Sequence, residues 1–529
     1  MGSIFLKEIS RLKGVFIFLV VVLAGFFLWF CFKVRYDFGA IHPESVIWYG
    51  YNFFDNHPES VMAWVWVILG VGVSLAQFLS ERARIKCLLH LPKSSAMLLL
   101  EHFYPVFILF GAIWLVFGGW LLVFSSFFYP VVILEQIAIN WCYYALCGVL
   151  FYIFTNAVVI NKNAIFSFAL AVVFTVLSFM VLFYLRSFLV IILLAVVGGI
   201  LCFNSLLSHK QTSLKTPFLG AIYVVLAVVF VFSGVGFYDK SLKEKKENYY
   251  IFYSPSLKEF IYQHNLGGHY FAYKSASGKE FKSEKEYKNE LAFNYYMDLE
   301  QQGKLPVVID GESFSKERIK NARFSMSYTP ADAKPPQIPL YPLFNPDPKV
   351  SSIPFSEDMI YFAKNGLEIY HHDGNLDKEF SSFLNDKALN LDVKFPAVAV
   401  WGRFTNLKPY DSGIFFKDSK GDVFNITVYD NKLDFKEIPS LKNFEHLHVN
   451  ESKNSDFLAI AFKDSKIYLM DKKYLLTKLD VGEFNWHTMR LRVAFDAKYL
   501  QVRYDDGRVY KAFAFDKDDF KEVDKFQIK

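Results

Sequence analysis

The order of apolar and polar positions divides the chain in two. Near-continuous apolar runs occupy residues 14–33, 61–79, 103–126, 130–160, 165–185, 187–204 and 217–237. Each approaches or exceeds the roughly 20 residues that a helix needs to cross a bilayer. The pattern therefore predicts a multi-pass α-helical membrane domain of about seven spans over residues 1–237. The first run is too long for a signal peptide and lacks a small-residue cleavage site. The run at 130–160 exceeds the hydrocarbon thickness, which predicts strong tilt or an interfacial entry.

Beyond residue 237 the pattern becomes that of strands and turns. Residues 238–329 read as a juxtamembrane polar helix, "YDKSLKEKKE", followed by a small α+β section. Eight prolines between 330 and 354 predict an extended connector, pinned by Tyr341, Leu343 and Phe344. From 355 to 529 strand–turn–strand units recur. Turn glycines Gly366, Gly421 and Gly507 mark them, and Phe-Lys-Asp-Ser-Lys occurs at 416–420 and again at 462–466. A spacing near 43 residues matches one blade per repeat, so the expected fold is a mainly β, propeller-like extracytoplasmic domain, with a β-sandwich as runner-up.

Charge sharpens the division. Residues 1–237 hold 13 Lys/Arg and 8 Asp/Glu, while the remainder holds 44 of each. No continuous basic patch suits nucleic acid. Lys7, Arg11, Lys13, Lys162, Lys210 and Lys215 fall on one side of the expected topology, which puts the N-terminus in the cytoplasm. Seven spans then place the soluble block outside, in the periplasm of a bacterial inner-membrane protein. All five cysteines lie in the apolar block without metal or haem spacing, so they read as small buried residues.

One segment interrupts the apolar block with basic residues: "ERARIKCLLHLPKSSAMLLLEH", 81–102. Its first half makes a short amphipathic helix, Pro92 ends it, and Ser94 or Ser95 caps the next. With the amphipathic "FLKEISRLKG", a first span, an external loop and a second span before it, this order resembles ABC-2 type transporter permeases. That resemblance implies a coupling surface at residues 81–95, with Arg82, Arg84, Lys86, Leu89, Pro92 and Lys93 contacting a separate cytoplasmic ATPase. No G-x-x-x-x-G-K-[ST] loop occurs in the chain, so ATP enters only through such a partner. Another permease subunit or a periplasmic protein is a further expected partner. Glu135 and Asn140 are the polar residues that could line an intramembrane site.

The soluble stretches "GGHYFAYKSASGKEFKSEKEY", "YKNELAFNYYMDLEQQGK" and "IPLYPLFNP" resemble the DUF4857 family over about residues 250–525. Members are often encoded beside ABC-transporter components, and the resemblance implies no catalytic residues. Asp418, Asp505 and Asp506 lie in turns without the ligand spacing of a calcium loop. His371 and His372 stand beside Asp373 without a second cluster, which favours a turn over a metal site. No nucleophile elbow or zinc motif is present, so the chain reads as a non-enzyme without cofactors of its own. The expected function is a permease-like subunit of an ATP-binding-cassette system. The alternative is a non-transporting, membrane-anchored binding, sensor or scaffold protein.

Overall fold

The computed structural model describes residues 3–40, 61–78, 85–182, 186–237, 249–267, 270–336 and 338–528. The expected juxtamembrane helix, 238–247, lies outside them. The chain forms two compact units, Met1–Lys243 with His372–Asn375, and Glu244–His371 with Leu376–Lys529.

The first unit is helical: α1 (Ser3–Ala40), α2 (Val61–Phe78), α3 (Ile85–Leu88), α4 (Ser95–Ser125), α5 (Val131–Ile160), α6 (Ala164–Met180), α7 (Phe188–Leu207) and α8 (Thr216–Phe237). Side-chain caps fix three starts: Ser94 accepts from Met97 N, Asn163 from Ile165 N and Phe166 N, and Ser187 from Val190 N. Among the described residues, four helices are long and apolar enough to cross a membrane, spanning Leu6–Tyr36, Ser95–Ser125, Val131–Ile160 and Phe188–Lys210. They make this a membrane-embedded region.

The expectation of about seven spans is corrected to these four. Ala63–Phe78, Ala164–Met180 and Thr216–Phe232 are shorter apolar helices. A run of that length serves equally well as a helix buried within protein. In α2, Ala63, Trp66 and Val73 are fully buried. The ABC-2 permease reading is corrected with it, because its pattern required a second full span where α2 stands.

The middle of the unit is α5. Two-thirds of its apolar window is buried, against 28% for α1 and for α4. Helix α2 lies against it at glycines: a Cβ on Gly70 would come within 2.2 Å of Gly148 O. We predict that Gly70→Ala forces α2 and α5 apart and costs about 1–3 kcal/mol. Gly72→Ala, with nothing within 4 Å of its added carbon, should leave the melting temperature in detergent unchanged. Equal melting of the two variants would refute the close approach.

The second unit is built from open antiparallel sheets. Strands β1 (Tyr249–Ser254), β2 (Glu259–Gly267) and β3 (Tyr270–Ser275) form one meander, and β4 (Val307–Ile309) pairs with β5 (Glu312–Phe314). Strand β6 (Phe324–Tyr328) travels to a distant sheet. Next come β7 (Leu340–Leu343), β8 (Asp358–Ala363), β9 (Gly366–His371) and β10 (Leu376–Asp377), then helix α9 (Lys378–Asn390). Strands β11 (Ala399–Trp401), β12 (Ile414–Lys417), β13 (Val423–Tyr429) and β14 (Lys432–Glu437) make the next sheet. Strands β15 (His446–Val449), β16 (Phe457–Lys463), β17 (Lys466–Asp471) and β18 (Leu476–Leu479) make another. Finally β19 (Arg490–Phe495), β20 (Tyr499–Asp505), β21 (Tyr510–Asp516) and β22 (Glu522–Ile528) complete a five-stranded sheet with β6 at its edge.

Apolar clusters join these sheets in series. Ile369, Leu384 and Phe424 bind the β7–β10 and β11–β14 sheets through α9. Phe415, Leu447 and Met470 join the second to the third, and Tyr328, Phe462 and Val493 join the third to the five-stranded sheet. Tyr253, Phe293 and Tyr510 seat the first meander against the last sheet. The expected propeller is corrected: the sheets are open, each with two edge strands, and none closes or curls into a ring. The repeat spacing measured the length of a four-strand meander, which says nothing about closure. Pro342 sits in β7, an edge strand, where a missing N–H breaks no ladder.

Candidate functional site

Strand β15 reads His-Leu-His-Val. Its alternation directs Leu447 and Val449 into one core, with Trp401 and Phe415. His446 and His448 take the other face, with ring centres 5.5 and 5.6 Å from that of Tyr328. They reach a cleft of about 990 Å³, to which the edge strands β6, β7, β11 and β15 each contribute. This volume lies at the upper end for small-ligand sites.

His446 is 6% exposed and lies parallel to Trp486, ring centres 5.2 Å apart. Among the described residues, neither of its ring nitrogens has a hydrogen-bond partner. Burial pushes its pKa down to about 4, with His448 and His487 adding to the effect and Asp332 opposing it. The imidazole is therefore neutral near pH 7, with one donor and one acceptor nitrogen. Burial likewise lowers the pKa of His448 and of the Lys417 ammonium.

Most charged groups around the cleft are engaged locally. Lys417 Nζ donates to Phe444 O at 3.0 Å. Glu445 accepts from Trp486 Nε1 at 2.8 Å and from Asp464 N at 3.1 Å. Arg403 donates to Glu451 O and Leu407 O, and Asp332 accepts from Thr329 N and Oγ1. Behind Arg403 lies a buried ionic knot of Lys408, Asp411 and Glu451. Residues 250–515 match the family described as "Domain of unknown function (DUF4857)". The chain belongs to the DUF4857 family. Neither the curated proteins nor the solved structures contain a match to it.

The DUF4857 match takes in the whole cleft. Its acidic turns use their carboxylates on their own backbone. Asp418 accepts from the amides of Lys420, Asp422 and Lys394. Asp506 accepts from those of Arg508 and Val509, while Asp505 binds Arg490 Nη2 at 2.5 Å. His371 Nδ1 lies 2.6 Å from Asp358 and its Nε2 3.4 Å from Asp377, which fixes the ring between neighbouring strands. No group of three or more metal-ligating side chains occurs among the described residues.

In the membrane-embedded region, Arg82 and Arg84 lie outside the described residues. Lys86 falls within α3, whose backbone alone is described at that position. Leu89 is buried and borders a small apolar pocket with Phe78, Leu99, His102 and Leu206. Pro92 lies in the bend between α3 and α4, and Lys93 Nζ is 2.6 Å from Glu101. Glu135 is exposed near the start of α5, whereas Asn140 is buried.

The larger polar assembly escaped sequence reasoning. Glu8 is fully buried and accepts from Gln77 Nε2 at 3.0 Å; Tyr152 OH donates to Gln77 Oε1 at 2.6 Å. Gln77 Nε2 also reaches His102 O, and Ser74 Oγ donates to Asn156 Oδ1 at 2.5 Å. These residues stand at the ends of apolar runs, where a polar side chain ordinarily marks the interface. Only the fold brings α1, α2, α4 and α5 together around them.

Proposed function

We propose that the protein is a membrane-anchored binding protein, in which the N-terminal helices hold a DUF4857 domain that receives a ligand in its cleft without chemically altering it. The observation carrying this reading is His446: a neutral, buried imidazole with unpartnered nitrogens on the wall of a large cleft. Its ring lies on the cleft wall, where a ligand can reach its nitrogens. Aromatic walls with a few convergent polar groups are the usual composition of a ligand site.

The test uses the full chain in lipid nanodiscs, with tryptophan emission, to which Trp401 and Trp486 in the cleft wall contribute, as the signal. Oligopeptides, oligosaccharides and nucleotides are titrated as separate probe classes. At least one class should give a saturable change that Ala399→Trp, which adds an indole where β11 lines the cleft beside Trp401, removes. Lack of any saturable, Ala399→Trp-sensitive response would overturn the reading. Reporters fused at the two chain ends show which side the domain occupies. Four crossings return the chain to its starting side, whereas a periplasmic domain with a cytoplasmic N-terminus requires an odd number.

A further inference from the structure

The cleft's shape and chemistry say what class of ligand it takes, given that it is a binding site as proposed above. Residues 397–404 all line it in unbroken sequence, and so do 445–450. A strand that presents one face contributes every second residue. A strand that presents its edge contributes all of them. Both β11 and β15 are sheet edges, and β11 is hydrogen-bonded only to β12 among the described residues. Alternate residues of this three-residue strand turn their N–H and C=O outward, so the edge offers one or two such residues toward the cleft.

Other ligand classes fit less well. The flat faces that would stack on a sugar or nucleobase are largely engaged, Phe404 at 37% exposure being the most open of them. Trp486 packs against His446 at 5.2 Å and His487 at 3.6 Å, and Trp401 is only 6% exposed. Tyr341 packs against Phe362 and Phe404, at 5.8 and 4.9 Å. Lys417, Arg403, Glu445 and Asp332 are tied to nearby backbone or side chains, so they do not converge on a phosphate. What remains is a short line of main-chain groups, apolar walls, the exposed cation of Lys334, and an imidazole able to donate once and accept once.

We propose that the cleft binds an extended polypeptide segment, which adds as a strand to the free edge of β11 and offers a main-chain amide to His446. The match is chemical. An extended chain repeats its donors and acceptors at the spacing of a strand edge, and edge addition is a recurrent mode of peptide recognition. Edge β11 is favoured over β15 because β15 is partly bridged to β6, with Asn450 Nδ2 3.4 Å from Ser325 O.

The test pans a displayed library of random dodecapeptides on the full chain in nanodiscs, retaining sequences that Ala399→Trp does not bind. Enriched peptides are then synthesised with backbone N-methyl groups at alternate positions. Methylation at one parity should weaken binding at least about tenfold, and the other parity should have little effect, because a paired strand uses alternate amides. His446→Phe should weaken binding about tenfold, the loss of one hydrogen bond. Peptides indifferent to parity would overturn strand addition. If no Ala399→Trp-sensitive peptide is enriched while oligosaccharides or nucleotides still change the tryptophan emission, the peptide proposal fails and the binding reading stands. If no class responds, both fail.

Discussion

Lys408→Met should destabilise the soluble domain by about 3–5 kcal/mol, a large share of the stability of an ordinary domain. The Lys408 side chain is 1% exposed and meets carboxylates that are 5% exposed at Asp411 and fully buried at Glu451. Its ammonium lies 3.1 Å from Glu451 Oε2 and donates to Arg403 O at 2.7 Å. Burial pushes the Glu451 carboxyl upward in pKa, and Lys408 is the largest influence opposing that shift. Methionine keeps the stem's bulk but removes the charge, leaving two buried carboxylates side by side. One must take a proton or the loop must open to water. Ser412 N and Oγ, at 2.6 and 2.7 Å from Glu451 Oε1, cannot replace a cation.

Hydrogen exchange on the full chain should show residues 403–412 losing protection first, and urea unfolding should show the lowered midpoint. The triple variant Lys408→Met, Asp411→Asn, Glu451→Gln should recover most of the loss, since it removes all three charges together. A single-variant cost below about 1 kcal/mol would mean that the knot is hydrated. The same substitution should also weaken cleft binding, because Arg403 in the cleft wall holds Glu451 O at 2.9 Å.

The turns of the soluble domain were legible because their chemistry is local. Gly421 and Gly507 fall between the second and third strands of a meander, Gly366 opens the third, and the two Phe-Lys-Asp-Ser-Lys copies span the same turn. Gly421 and Gly507 have φ of +88° and +86°, and Asp464 and Ser465 in the second copy also adopt positive φ. How successive meanders pack was not legible, because face-to-face packing depends on side chains far apart in sequence, such as Tyr328 with Phe462. That separation produced the propeller expectation. The membrane region repeats the lesson. Apolar composition located its helices, but composition cannot separate a span from a buried helix such as α2. The cap at Ser94 was readable from its neighbours. Glu8, Gln77 and Tyr152 were not, since each looks ordinary until α1, α2 and α5 converge. His446 gave a fainter signal: a His-x-His alternation on a strand, which places two imidazoles on one face.

That alternation leads to the second large effect, an opposed pH response inside one domain. Folded His446 resists protonation until about pH 4, against 6.5 unfolded. Between those values the unfolded state holds the extra proton, so stability falls as pH drops through the window, by up to ~3 kcal/mol. Asp496 acts in the other direction. Burial raises its pKa from 3.8 to about 6, although the amides of Lys498 and Tyr499 donate hydrogen bonds to the carboxylate that oppose the shift. Here the folded state keeps the proton longer, so stability falls as pH rises from 3.8 to about 6, again by up to ~3 kcal/mol. The two slopes oppose each other over most of their range. His446→Phe removes the first alone, and it breaks no hydrogen bond that the free domain makes among its described residues. The variant should match the wild type within ~1.5 kcal/mol at pH 7.5, as a near-isosteric exchange. At pH 4.5 it should be the more stable by ~2–3 kcal/mol, measured from urea midpoints followed by tryptophan emission. His448, Asp332 and His487 face the same site and remain in both proteins, so the difference between the two curves isolates the one imidazole. A difference that does not change with pH would mean that His446 is charged or solvated in the fold, and the case for a neutral donor–acceptor group in the cleft would fall with it.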